Sequence, residues 1–249
     1  MNPSRLHRGW HLVQFQLAAA VHQRVAWVLS GAALAVVLAG AALRTFNFGA
    51  AESRFFVSVA EGVLVATGTL LAAVLGPALL GEGGATRTAP LFFSRGVRRS
   101  EWVGATLAAV WVVLGWLVVL LAGALTWLLV RHGHGSEVGA AWRQLAGGAT
   151  GLVIVGAGAV LFAAVFERAA VATTATVALA VAGQLAPILK RLGATSTGAE
   201  ALGWRALDWL VPNFSTMHTA PGQVALLYVV GYAAVYAVAA AVIFSRREL

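Results

Sequence analysis

Residues 103–130 read VGATLAAVWVVLGWLVVLLAGALTWLLV, 28 consecutive positions without a charged side chain. An α-helix rises about 1.5 Å per residue, so this run is ~42 Å long, more than the ~30 Å hydrocarbon core of a bilayer. Strands of a membrane barrel alternate apolar and polar residues, and this run does not. It reads as a spanning helix, which satisfies its own backbone hydrogen bonds in lipid. Five further runs pass the same test: residues 25–43, 62–80, 145–166, 169–189 and 223–244, none holding a charge. Six transmembrane helices predict an all-α, polytopic membrane protein with one domain over residues 1–249.

The composition agrees, with 60% apolar and 10% charged residues and a mean hydropathy of +0.84. A soluble domain carries about 25% charged residues, and this chain lacks the polar shell it would need. The net charge of +8 comes from 17 basic residues spread between the apolar runs, so it builds no patch for nucleic acid. Membrane lipid is the expected surrounding. The absence of cysteine excludes a disulfide framework, a thiolate metal site and a cysteine nucleophile.

The first run lies behind an amphipathic leader, residues 1–24, and is long enough to span, so it is not read as a cleavable signal. In it Trp10, Val13, Leu17 and Val21 recur at helical spacing, which predicts an N-terminal interfacial helix on the cytoplasmic leaflet. With the N-terminus inside, ten arginines fall on cytoplasmic segments and seven basic residues on outer ones. The clusters Arg95, Arg98, Arg99 and Arg246, Arg247 strengthen that orientation, which leaves both termini in the cytoplasm of a multi-pass cell-membrane protein. Residues 81–101 form the longest cytoplasmic connection, and residues 190–222 the longest extracytoplasmic one. Within the latter, residues 201–211 pattern as an interfacial helix stopped at Val211-Pro212-Asn213.

Chemistry-bearing residues are few. The only lysine, Lys190, stands in Pro187-Ile188-Leu189-Lys190-Arg191, so the chain has no phosphate-binding loop and hydrolyses no nucleotide of that type. No nucleophile, base and orienting group occur at a useful spacing, so no enzyme activity is expected. His132 and His134, with Glu137 nearby and His218 on the other outer loop, make an incomplete ligand set, and no metal or cofactor is expected in this chain. Glu61 either marks the outer interface at the head of span two or faces the bundle as a polar gate. Thr173, Thr176, Ala180, Gln184 and Pro187 share one face of span five, as helix packing, a dimer interface or the wall of a substrate path would require.

Several ordered pieces then resemble the permease subunits of ABC-2 type ATP-binding-cassette exporters. They are the amphipathic leader, the outer Phe46-Asn47-Phe48-Gly49, the segment holding Glu82 and Thr86-Arg87-Thr88-Ala89, and Arg95-Gly96-Val97-Arg98-Arg99-Ser100-Glu101-Trp102. Leu207-Asp208-Trp209-Leu210-Val211-Pro212-Asn213-Phe214 and the terminal Phe244-Ser245-Arg246-Arg247-Glu248-Leu249 complete the match. The resemblance implies the ABC-2 (type V exporter-like) permease architecture, a partner permease copy or paralogue, and two separate ATPase subunits that hold ATP and Mg. It also implies a coupling helix after span two, in which Glu82 and Arg87 touch the ATPase. Gly81, Gly83 and Gly84 weaken helix formation by ~1 kcal/mol each, so that helix is expected to begin near Ala85. A basic residue that the family often has stands here as Ala105. A non-transporting six-span scaffold is the alternative reading, and an intramembrane enzyme a third.

Overall fold

The computed structural model describes residues 3–40, 52–80, 91–94, 96–195, 200, 203–204, 211–219 and 222–246. Among these, every regular element is a helix: α1 Pro3–His22, α2 Arg24–Ala39, α3 Glu52–Leu80, α4 Arg99–Arg131, α5 Val138–Val165, α6 Ala169–Thr195, the short α7 Thr216–Thr219 and α8 Gly222–Arg246. Five helices are long and apolar enough to cross a bilayer, namely α3, α4, α5, α6 and α8. The pair α1–α2, bent by 65° at Gln23, makes a sixth if it counts as one span.

The helices outrun the uncharged stretches at most ends. Span two begins at Glu52 rather than Gly62, span three at Arg99, span four at Val138, and span five continues to Thr195. Charged residues at a membrane surface do not break a helix, so lack of charge marks the buried length and not the helical length. The leader also differs from its expected face. Leu12, Gln16 and Ala20 are its buried stripe, flanked by the half-buried Val13 and Leu17, whereas Trp10 and Val21 are exposed. α1 is folded onto α4, where Phe15 stands 6.2 Å from the fully buried Trp102, itself packed with Phe92 and Phe93.

α5 is the central helix, in contact with α3, α4, α6 and α8, and the most buried of the spans. Glycine and alanine on nearly every face let its neighbours approach closely, which is how helices associate where lipid offers no hydrophobic drive. A methyl group on Gly76 of α3 would stand 2.9 Å from the carbonyl of Ala159 on α5, so this crossing admits only hydrogen. Indole donors add polar ties, from Trp111 Nε1 to the Val153 carbonyl (3.1 Å) and from Trp142 Nε1 to Thr126 Oγ1 (2.9 Å).

Two prolines lie inside spanning helices, Pro77 in α3 and Pro187 in α6. Each lacks the N–H that would bond the carbonyl four residues earlier, leaving Ala73 and Gly183 without their helical donor. Both carbonyls take a donor from elsewhere. Thr173 Oγ1 of α6 donates to Ala73 O at 3.0 Å, and the Phe214 N–H donates to Gly183 O at 3.3 Å. The first bond fixes α6 against α3; the second draws residues 211–219 into the bundle, with Phe214 and Met217 buried.

Candidate functional site

α3, α5 and α6 enclose a crevice of about 590 Å³. Its floor is Gly147, Gly148 and Gly151 of α5, where the absence of side chains leaves the volume. Ser58, Gly62, Ala66 and Leu70 of α3 and Val181 and Gln184 of α6 are its exposed rims, so it opens sideways between those two helices. Phe214 closes one part of the wall, its ring packed on Gly183. The volume falls within the usual range of small-molecule sites, about 300–1,000 Å³.

Ser58, Glu61 and Gln184 line one end; Leu70, Val155 and Val177 line the other, together with the hydroxyl-bearing Thr69. Glu61 is half-buried and accepts a 2.6 Å hydrogen bond from Gln144 Nε2 of α5. It is the only ionisable side chain among the described residues lining the crevice. It stands nine residues inside α3, about 14 Å along the axis from Glu52. The helix therefore does not start at Glu61, and the carboxylate faces α5 and α6. Glu61 and Gln144 also border a more open hollow with Ala140, Arg143 and Met217, toward the N-terminal end of α5.

Of the four residues expected on a path or dimer interface, the crevice brings together Glu61 and Gln184. Thr173 and Thr176 are placed differently. Thr173 supplies the donor missing beside Pro77, and Thr176 is fully buried with its hydroxyl on its own helix at Ala172 O, 2.8 Å away. Thr176 is covered by this chain's own helices, Thr173 partly so, while Gln184 on the same face is exposed. Ala105 is likewise buried, inside the bundle. Glu82 and Arg87 lie outside the described residues, as do most of residues 201–211.

The turn after α4 is more ordered than its glycines imply. Gly133, at φ +83°, ends α4 in a left-handed turn, with N–H bonds from Gly133 to Val130 O (3.2 Å) and from His134 to Leu129 O (2.8 Å). This turns His132 inward, where Nδ1 lies 3.3 Å from Glu52 Oε1, while His134 reaches toward Glu52 and Glu137 at 3.8 and 3.9 Å. Among the described residues no group of three or more such side chains is arranged to hold a metal ion. The turn joins the ends of α3 and α4.

At the opposite end, the motif around Arg98–Trp102 opens α4. Glu101 Oε2 accepts from the Arg98 N–H at 3.1 Å and Arg99 Nη1 donates to Ser245 O at 3.2 Å, which ties the start of α4 to the end of α8.

Sequence reasoning missed Gln144 and Phe214 as parts of the site. Gln144 is a lone amide just ahead of an apolar run. Phe214 and Met217 are spaced as one apolar edge after Pro212, the one signal that this loop packs inward. A scan against protein-family models gives no match, and no curated protein sequence matches the chain.

Proposed function

We propose that the chain is the permease subunit of an ATP-driven exporter, set in the cell membrane with both termini in the cytoplasm. It pairs with a second copy or a close paralogue and is driven by separate ATPase subunits. The observation that carries this reading is the crevice: a carboxylate and neighbouring amides on helices long enough to span, in a groove open to the side. Ionisable groups on spanning helices are costly and mark substrate or ion pathways. A scaffold that only recruits a partner has no use for one. The resemblance of the ordered motifs to ABC-2 permeases supplies the energy source, since the sequence has no phosphate loop.

In this mechanism the ATPase pair closes on residues 81–101 and pushes the bundle as a rigid body. That segment continues directly from α3, whose outer half carries Ser58 and Glu61, so a push shifts the polar end of the crevice relative to α5 and α6. Glu61 and Gln184 contact cargo, Thr173 and Thr176 hold the wall, and Glu82 and Arg87 contact the ATPase.

The test is purification of the tagged chain from its native membrane in mild detergent. An ATPase with a phosphate loop should accompany it, and Arg87→Glu should weaken that association while membrane insertion stays intact. A preparation without any ATPase would overturn the permease reading. Unchanged recruitment in the charge-reversed protein would remove residues 81–101 from coupling.

A further inference from the structure

We infer that the groove between α2 and α4 holds one acyl chain of a glycerophospholipid whose phosphate sits on Arg131. This groove shares no lining residue with the crevice, and the inference does not rest on the permease reading.

The groove offers about 490 Å³, with Leu34 and Leu38 of α2 on one side and Gly123 and Ala124 of α4 on the other. Gly123 keeps it open, since a methyl group there would meet nothing within 4 Å. Trp116 and Trp127, each about half exposed, mark its two ends on α4. Eleven residues apart, or about three turns, the two indoles project from one face of the helix ~16 Å from each other. That is about half of the ~30 Å hydrocarbon core, the depth that the chains of one leaflet fill. The same indoles disfavour a helix as occupant. A straight helix about 10 Å across, laid along the groove, would strike both of them, whereas an acyl chain bends past.

The head is set by Arg131. It ends α4 one turn beyond Trp127, is exposed, and holds its guanidinium carbon 5.3 Å from the centroid of the Trp127 ring. The attraction of the cation to the ring face keeps the charge at the mouth of the groove. The carboxylates nearby are turned elsewhere: Glu52 faces His132 and His134, and Glu137 faces His134. Among the described residues no carboxylate pairs with Arg131, and no acceptor takes its N–H groups. A guanidinium presents five donors in a planar fork that matches phosphate. A bilayer supplies phosphates at the level where a spanning helix ends, one leaflet above Trp116. An apolar slot as deep as a leaflet, with an unpaired cation at its mouth, fits a molecule that carries both a chain and a phosphate.

The experiment titrates the full chain, delipidated in mild detergent, with phosphatidylglycerol and counts bound lipids by native mass spectrometry. Diacylglycerol supplies the chains without the phosphate, and glycerol 3-phosphate supplies the phosphate without the chains. One phosphatidylglycerol per chain should bind saturably and ahead of further lipids, and the two controls should bind at least tenfold more weakly. Arg131→Gln should weaken that first phosphatidylglycerol about tenfold. Arg54→Gln removes the same charge from an exposed position at the same end of the bundle and should leave binding unchanged. Gly123→Phe, which fills the groove from an exposed position without entering the core, should abolish the first binding event with helix content and gel-filtration behaviour unchanged. Equal binding by wild type and Arg131→Gln, an equal loss in Arg54→Gln, or diacylglycerol bound as tightly as phosphatidylglycerol would overturn the assignment. So would a disulfide between two Gly123→Cys chains in the membrane, since a second copy would then occupy the groove. The assay needs no ATPase, so its outcome is independent of the test of the permease reading.

Discussion

Thr173 shows how one hydroxyl can be misassigned when a helix is read alone. On the sequence it belongs to a polar face that could serve a partner or a path; in the fold it donates to Ala73 O, the carbonyl that Pro77 deprives of its helical N–H. The two facts lie about a hundred residues apart in sequence, so no local pattern connects them. Hydrogen bonds between spanning helices contribute about 0.6 kcal/mol on average and up to about 1.7. Thr173→Val is expected to cost ~1 kcal/mol in a detergent unfolding titration, with Thr173→Ser close to wild type. In a Pro77→Ala background the restored N–H serves Ala73, and the same Thr173→Val change should cost nothing measurable. Equal costs in both backgrounds would show that the hydroxyl does not compensate the proline.

At the level of elements, apolar runs locate five of the spans, because lipid enforces that pattern directly, whereas the first run forms only the 16-residue α2, which makes a span only if counted together with the bent α1. They do not reveal where helices end, which polar caps and turns decide at positions such as Arg98, Glu101 and Gly133. Nor do they show that residues 211–219 dip into the bundle, since that depends on Pro187 freeing the Gly183 carbonyl and on Gly183 leaving space for a ring. A methyl group on Gly183 would lie 2.5 Å from Cε2 of Phe214. Gly183→Ala should therefore expel the ring and destabilise the protein by roughly 1–3 kcal/mol, as overpacking does. Phe214→Ala should suppress it, so that the double variant unfolds with Phe214→Ala alone. A Gly183→Ala protein as stable as wild type, with the Phe214 amide equally protected from hydrogen exchange, would mean that the segment does not dock on α6.

For the whole molecule, the site was partly legible: Glu61 stood out as a carboxylate beside an apolar run, and Gln184 as an amide within one. What joined them was the antiparallel packing of α3 and α6 over a glycine floor, a three-helix property with no signature on any one helix. Orientation is likewise a property of the whole. The start of α4 and the end of α8 meet through Arg99 and Ser245, and α1 packs beside them at Trp102, so Arg98, Arg99 and Arg246 share one end of the bundle. Arg168, between α5 and α6, joins them by the alternation of helix direction, and this basic clustering is the support for the proposed cytoplasmic placement of that end. The chain has no cysteine, so introduced thiols report without background. Ser53 is a poor reporter because it is buried, while Arg54 and Ser136 at the far end and Ser94 and Glu167 at the near end are exposed. Cysteines at positions 54 and 136 should react with an impermeant maleimide on intact cells, and those at positions 94 and 167 only after permeabilisation. The reverse pattern would invert the protein in the membrane and turn the mouth of the crevice near Glu61 to the cytoplasm, where it would receive cargo and not release it. Labelling of all four on intact cells would show that these helices do not span.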